Sequence, residues 1–149
     1  GVLVPEIDER FKTEVNSPII LVYPGFLDIQ SAPSWVSGLE RVERTGGLLA
    51  MPGSTFRLVY SGKETEVVYD LELLEVTALE SVRFKLHNDM MEFIVSVAFE
   101  AEGPITVMDT YVQAKGKGFV SKAFLPLMRS VVMQEVKDNF EQFKQLQER

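Results

Sequence analysis

Residues 65–99, TEVVYDLELLEVTALESVRFKLHNDMMEFIVSVAF, alternate apolar and charged side chains through three runs separated by turn residues. In the first run Thr65, Val67, Tyr69, Leu71 and Leu73 fall on one side, and Glu64, Glu66, Asp70 and Glu72 on the other. That period of two is the signature of a strand with one buried face. A four-residue turn around Thr77 to Glu80 sets Lys85 opposite Glu72 and His87 opposite Asp70, and both pairs are electrostatically complementary. With Asn88-Asp89 as the next turn, Lys85 comes beside Glu92, while Phe84 meets Phe93 and Leu86 meets Met91. Charges collect on one face and large apolar groups on the other, as an antiparallel meander requires.

The pattern extends both ways. Upstream, Phe56, Leu58 and Tyr60 form one face of a strand that a tight Gly62-Lys63 turn joins to the next. Downstream, Met91, Phe93, Val95, Val97 and Phe99 continue the inner face, and Glu102-Gly103-Pro104 turns into a last strand over Ile105–Gln113. An even-length turn points Thr106, Met108, Thr110 and Val112 inward; an odd one points Val107, Asp109 and Tyr111 inward. The even case is favoured, because burying Asp109 without a partner costs several kcal/mol or forces its protonation.

Near the N-terminus, Phe11, Thr13 and Val15 alternate with polar residues in a first strand ending near Asn16. Ser17-Pro18 reads as an N-cap and first helical residue, and Tyr23-Pro24-Gly25 is expected to kink or split that helix. Ala32-Pro33-Ser34-Trp35 forms a second short helical turn, stopped by Gly38. At the other end, Val120, Phe124, Leu127, Met128, Val131, Val132, Val136, Phe140 and Phe143 recur at helical spacing. They predict one long amphipathic helix, with a restart at Pro126 and a straight part from about Leu125 to Leu146.

The chain of 149 residues suits one domain, 1–149, with a single core, and 46% hydrophobic with 25% charged residues is an ordinary globular composition. A net charge of −7 argues against general nucleic-acid affinity. The absence of Cys removes disulfides, thiolate nucleophiles and Cys-ligated zinc, and fits a cytoplasmic setting. No apolar run reaches the ~20 residues of a membrane-spanning helix, and the first residues lack a signal-peptide pattern. The start at Gly1 fits a processed or trimmed polypeptide.

The order strand, two short helices, six-strand meander and long terminal helix resembles the helix-grip fold of the START and pollen-allergen superfamily, in particular its SRPBCC polyketide cyclase/dehydrase-like branch. Ser17-Pro18, Asp28, Trp35 and Gly38 are similar to the wording of that branch after its first strand. So are Gly38-Leu39-Glu40-Arg41-Val42-Glu43, Gly53-Ser54-Thr55-Phe56-Arg57-Leu58 and Leu125-Pro126-Leu127-Met128-Arg129 in the strands and helix that follow. Pro24-Gly25 within the first helix departs from the pattern. The resemblance implies an α+β fold, with a curved antiparallel sheet of about seven strands wrapped around the terminal helix. It also implies a cavity between them for lipids, polyketides, sterols, isoprenoids or other apolar molecules.

Lining by default falls to inner-face residues: Tyr60, Tyr69, Phe84, Met91, Phe93, Met108 and Thr110 from the sheet, and Phe124, Met128 and Val131 from the helix. Tyr60 and Tyr69 can orient a carbonyl or hydroxyl by one hydrogen bond, and Met91, Met108 and Met128 can adapt to varied shapes; Met90 points outward by alternation. His87, the single histidine, reads as an outward partner of Asp70, so neither a triad nor a several-imidazole metal site is expected, and no cofactor. The Glu64, Glu66, Asp70 and Glu72 row reads as a solvated face. Trp35 reads as a packing residue, and Lys115, Lys117 and Lys122 as a glycine-rich loop that could meet an anion. These residues lead first to a binding protein for a small apolar ligand. The alternatives are an aromatase/cyclase-type enzyme moving a proton with a Tyr or Asp, and a monomeric or homodimeric interaction protein using Val59 and Ile94.

Overall fold

The computed structural model of the chain describes residues 4–149. Seven strands, β1 (Ile7–Val15), β2 (Leu39–Gly46), β3 (Thr55–Tyr60), β4 (Val67–Thr77), β5 (Ser81–His87), β6 (Met91–Glu102) and β7 (Ile105–Gly116), form one antiparallel sheet in the order β1-β7-β6-β5-β4-β3-β2. Between β1 and β2 lie helix α1 (Ile19–Leu27) and a 3-10 helix over Ile29–Ser34. The chain ends in a continuous helical run: α2 (Phe119–Phe124), a 3-10 turn (Leu125–Met128) and α3 (Arg129–Gln147). Pro126 sits in that 3-10 turn, so the straight part begins at Arg129, later than the spacing alone suggests. Among the described residues no helix is long and apolar enough to cross a membrane.

The predicted pairs Asp70 with His87 and Glu72 with Lys85 are present, reached by a different route. Thr77 pairs with Ser81, which leaves three residues in the turn, and the bulge at Leu74 offsets the odd count. The next turn is corrected. Asn88 N–H donates to Met91 O at 3.0 Å, so the turn centres on Asp89-Met90, not Asn88-Asp89. Asn88 Oδ1 holds that turn, accepting from the amides of Met90 and Met91 at 2.9 Å each. The register moves by two residues, pairing Leu86 with Phe93 and Phe84 with Val95. A shift of two preserves the faces. Gly62-Lys63 is not a tight turn either, because Tyr60 pairs with Val67 and residues 61–66 form the connection.

The last hairpin is even: Glu102 pairs with Ile105 across Gly103-Pro104, with Gly103 at φ 62°. Thr106, Met108, Thr110 and Val112 are buried accordingly. Asp109 lies on the outer face, in register with Lys12.

Two local expectations about α1 are overturned. Pro18, not Ser17, holds the N-cap position, and the Ser17 carbonyl accepts from buried Thr106 Oγ1 at 2.8 Å. The helix also runs unbroken through Pro24-Gly25, with Asp28 N–H donating to Pro24 O at 3.1 Å. The amide missing at Pro24 would have served the carbonyl of Ile20. Ile20 is exposed, so water can take that bond, while Tyr23 and Phe26 anchor the opposite side in the core.

Rings fasten the three layers. Phe26 of α1 packs on Phe99 of β6 and on Phe140 and Phe143 of α3, with centroids 5.7, 5.7 and 5.5 Å away. The far end of α3 is tied to β1, where Lys144 Nζ donates to Glu14 O at 2.8 Å and Asn16 N–H donates to Glu148 Oε2 at 2.7 Å. At its near end the run rests closely on the sheet. A Cβ at Gly116 would lie 2.4 Å from the Ser121 carbonyl carbon, so only glycine fits beneath α2.

On the outer face, Glu92 stands 3.1 Å from Lys115 and 3.8 Å from Lys85. Partial burial pushes its pKa up, but the bond to Lys115 and the nearby cations outweigh this, and the carboxyl lies below its ordinary value. A depressed carboxylate stabilises the fold above its unfolded pKa, and that contribution disappears as pH falls through the folded one. Glu92→Gln is expected to cost less than about 1 kcal/mol at neutral pH. The gap from the parent should close in urea unfolding curves taken progressively below the ordinary carboxylate range; a gap independent of pH would contradict the ion pair.

Candidate functional site

A cavity of about 420 Å³ lies between the concave sheet face and the helices. Its floor is apolar and buried: Leu58, Leu71, Val82, Val95 and Val112 from five successive neighbouring strands. Phe26 and Ala32 close one side, with Trp35 beside them. From α3 come Val132, Glu135, Val136, Asn139 and Phe140, the i, i+3, i+4, i+7, i+8 face of one helix.

Five residues expected to line a pocket do so: Tyr60, Tyr69, Phe84, Met91 and Phe93. Each is half-buried, as the rim and walls of an open cavity should be. Met108 and Thr110 are fully buried but lie outside the lining; Met108 pairs with Phe99 in the packed half of the sheet. The helical contribution is corrected. Phe124 and Val131 are exposed and Met128 is half-buried away from the cavity. The apolar stripe on the helical run is wider than the surface the sheet can cover, so Val132, Val136 and Phe140 take the inner positions. Val59 is also corrected: it is buried where β3 runs between Arg41 and Val68, leaving it no role in an exposed interface.

The polar groups are few. Tyr60 and Tyr69 meet edge to face at 5.8 Å, and Tyr69 meets Phe93 at 6.2 Å. Burial pushes the Tyr60 phenol well above its ordinary pKa, reinforced by Tyr69 and the Glu135 carboxylate. Burial and Glu135 raise Tyr69 too, while the Asn88 amide pulls it back. Both phenols therefore stay protonated at neutral pH, able to donate a hydrogen bond but unsuited to act as bases. Asn139 is fixed by accepting from Ser37 N–H at 3.0 Å. Trp35 packs against Phe26, Phe140 and Phe143 at 5.2–5.9 Å, the packing role expected of it. Its indole N–H is buried without a protein acceptor.

No family model and no curated protein matches the sequence. Solved structures do match in shape. The Zhui aromatase/cyclase from Streptomyces sp. R1128 superposes with a TM-score of 0.79 at 10% identity, over 96% of this chain and 94% of that one. A START superfamily protein from Mycobacterium smegmatis gives 0.74 at 12% identity, over 93% and 98%. Ara h 8.0201 gives 0.71 at 10% identity, over 94% and 97%.

The chain has the helix-grip fold. Within that fold, Glu135 is the single charged side chain on the cavity, and no Lys, Arg or His lines it among the described residues. Sequence reasoning passed over Glu135 and Asn139 because polar residues on an amphipathic helix read as its outer face. The signal was their spacing from Val132, Val136 and Phe140, which puts all five on one side. Among the described residues no group of three or more His, Cys, Asp or Glu is arranged to hold a metal ion.

Proposed function

We propose that the protein binds a small apolar molecule whose polar end is neutral or cationic. The observation that carries this is an apolar cavity of about 420 Å³ whose single charged lining residue, among the described residues, is the exposed Glu135 at its edge. Burial of the ligand's hydrocarbon supplies most of the affinity, at ~25 cal/mol per Å². The protonated Tyr60 and Tyr69 hydroxyls orient a ligand carbonyl or hydroxyl. A lipid, polyketide or isoprenoid without a carboxylate meets these terms, and the fold likeness to an aromatase/cyclase and a START protein supports a ligand of this kind. A fatty acid meets them less well, because its carboxylate would lie near Glu135 with no lining cation among the described residues to receive it.

A cyclase-type reaction has less to draw on. Asp109 faces outward, and the two phenols hold their protons. The binding reading needs no proton acceptor.

The test is displacement of an apolar fluorophore by dodecanol, dodecylamine and dodecanoate at pH 7. The alcohol and amine should compete about threefold better than the acid, a modest ratio because Glu135 is exposed to solvent. Glu135→Gln should bring the three together. No displacement by any of them, with no small molecule retained in native mass spectrometry, removes the binding reading. Displacement indifferent to the head group removes only the role of Glu135.

A further inference from the structure

We propose that the outer side of the α2–α3 run is a docking surface for an anionic lipid bilayer. Phe119, Val120, Phe124, Leu127 and Val131 are 90, 79, 57, 80 and 57% exposed. On α2, positions 119, 120, 123 and 124 share one side, and exposed Leu127 in the 3-10 turn and Val131 in α3 extend that apolar surface along the run. Leu125 on the reverse side is buried, which fixes the stripe outward. Folded monomers seldom leave so much contiguous apolar surface in water without a use for it.

Charge decides among occupants. Residues 110–134 carry Lys115, Lys117, Lys122 and Arg129 and none of the chain's twenty-two acidic residues, although the whole chain is at −7. Glu92 holds Lys115, and Glu9 lies 3.8 Å from Arg129, whereas Lys117 and Lys122 make no ion pair among the described residues. Arg129, one turn before buried Met133, faces the sheet, so the free cations beside the apolar face are Lys117, just before α2, and Lys122 on it. An apolar helical face with such ammonium groups beside it is the pattern of a helix lying in a membrane interface, with rings among the acyl chains and ammonium groups at anionic head groups. A second copy fits worse. A two-fold contact sets this surface against the same surface of the partner, and residues 110–134 offer no acidic side chain to receive its lysines.

The surface adjoins the cavity. Lys117 N–H donates to Met90 O at 2.8 Å, and Gly116 pairs with Met91, which lines the cavity. Val132 follows Val131 directly and faces inward. A bilayer seated on the stripe would thus lie against one wall of the cavity, although docking itself does not require the cavity to be occupied.

Vesicle co-sedimentation tests this with phosphatidylcholine alone and with added phosphatidylserine. Binding should be about tenfold tighter to the mixed vesicles and weaken as salt is raised. Phe119→Ser/Leu127→Ser should reduce it about tenfold with an unchanged circular dichroism spectrum and thermal midpoint, since both side chains are exposed. Lys117→Glu/Lys122→Glu should abolish the preference for phosphatidylserine. No binding to mixed vesicles, or binding insensitive to both double variants, overturns the proposal. So does a dimer in analytical ultracentrifugation that Phe119→Ser/Leu127→Ser dissolves, which would assign the stripe to a second copy.

Discussion

Phe26→Ala should lower stability by about 3–5 kcal/mol, the cost of deleting a buried ring and leaving a hole behind. The residue is 4% exposed and its ring meets five others, those of Trp35, Phe84, Phe99, Phe140 and Phe143, at 5.5–6.3 Å. Those five come from the segment after the 3-10 helix, from β5, from β6 and from α3, so one side chain joins all the layers. A domain of this size has about 5–15 kcal/mol of stability in total. The loss should therefore appear as a fall of about 10 °C in thermal midpoint and as a clear shift in urea midpoint. A change below about 1 kcal/mol would mean that the cluster closes over the gap and that α1 is not locked to α3 through this ring.

The second large effect concerns the cavity. Val95 is 6% exposed and lines the floor in register with Phe84 on β5 and Val112 on β7, both lining residues. Val95→Phe projects a ring into space that a ligand would occupy. Fluorophore binding should fall about tenfold or more. Stability should change by less than the ~1–3 kcal/mol that overpacking costs a filled core, because the ring has room to enter. Retained binding together with a lower midpoint would show that the ring went elsewhere and that the cavity floor is not where the ligand sits.

The facing of the sheet was legible because a period of two cannot be satisfied by accident over strands as long as β6 and β7. For β7 Asp109 only tipped the choice between two facings, since one buries a charge, and the even Glu102–Ile105 hairpin is the one adopted. Register was less legible. The Asp70–His87 and Glu72–Lys85 pairs came out right because the Leu74 bulge cancelled a turn one residue shorter than supposed. The β5–β6 pairing came out two residues off, since Asn88, Asp89 and Met90 all suit a turn and only the Asn88 side chain's bonds to the next amides choose among them. The terminal helical run posed a harder problem. Its apolar positions outnumber those a concave sheet can cover, and no residue in the stripe says which half is left outside. Phe124 and Val131 were placed in the cavity and face solvent; Val132, Val136 and Phe140 hold the interior. For the same reason Glu135 reads in sequence as one more solvated helix residue, and it is indeed exposed, although its position beside Val132 and Val136 brings it to the edge of the cavity.

The tie between the end of α3 and β1 has a mechanical meaning. Lys144 and Glu148 grip the backbone at Glu14 and Asn16, whereas Val132, about 18 Å up the helix at 1.5 Å per residue, lines the cavity. The helical run is held at its other end too, where Arg129 lies 3.8 Å from Glu9 of β1 and α2 rests directly on Gly116. The cavity wall at Val132 is therefore a beam fixed at both ends and not a hinged flap.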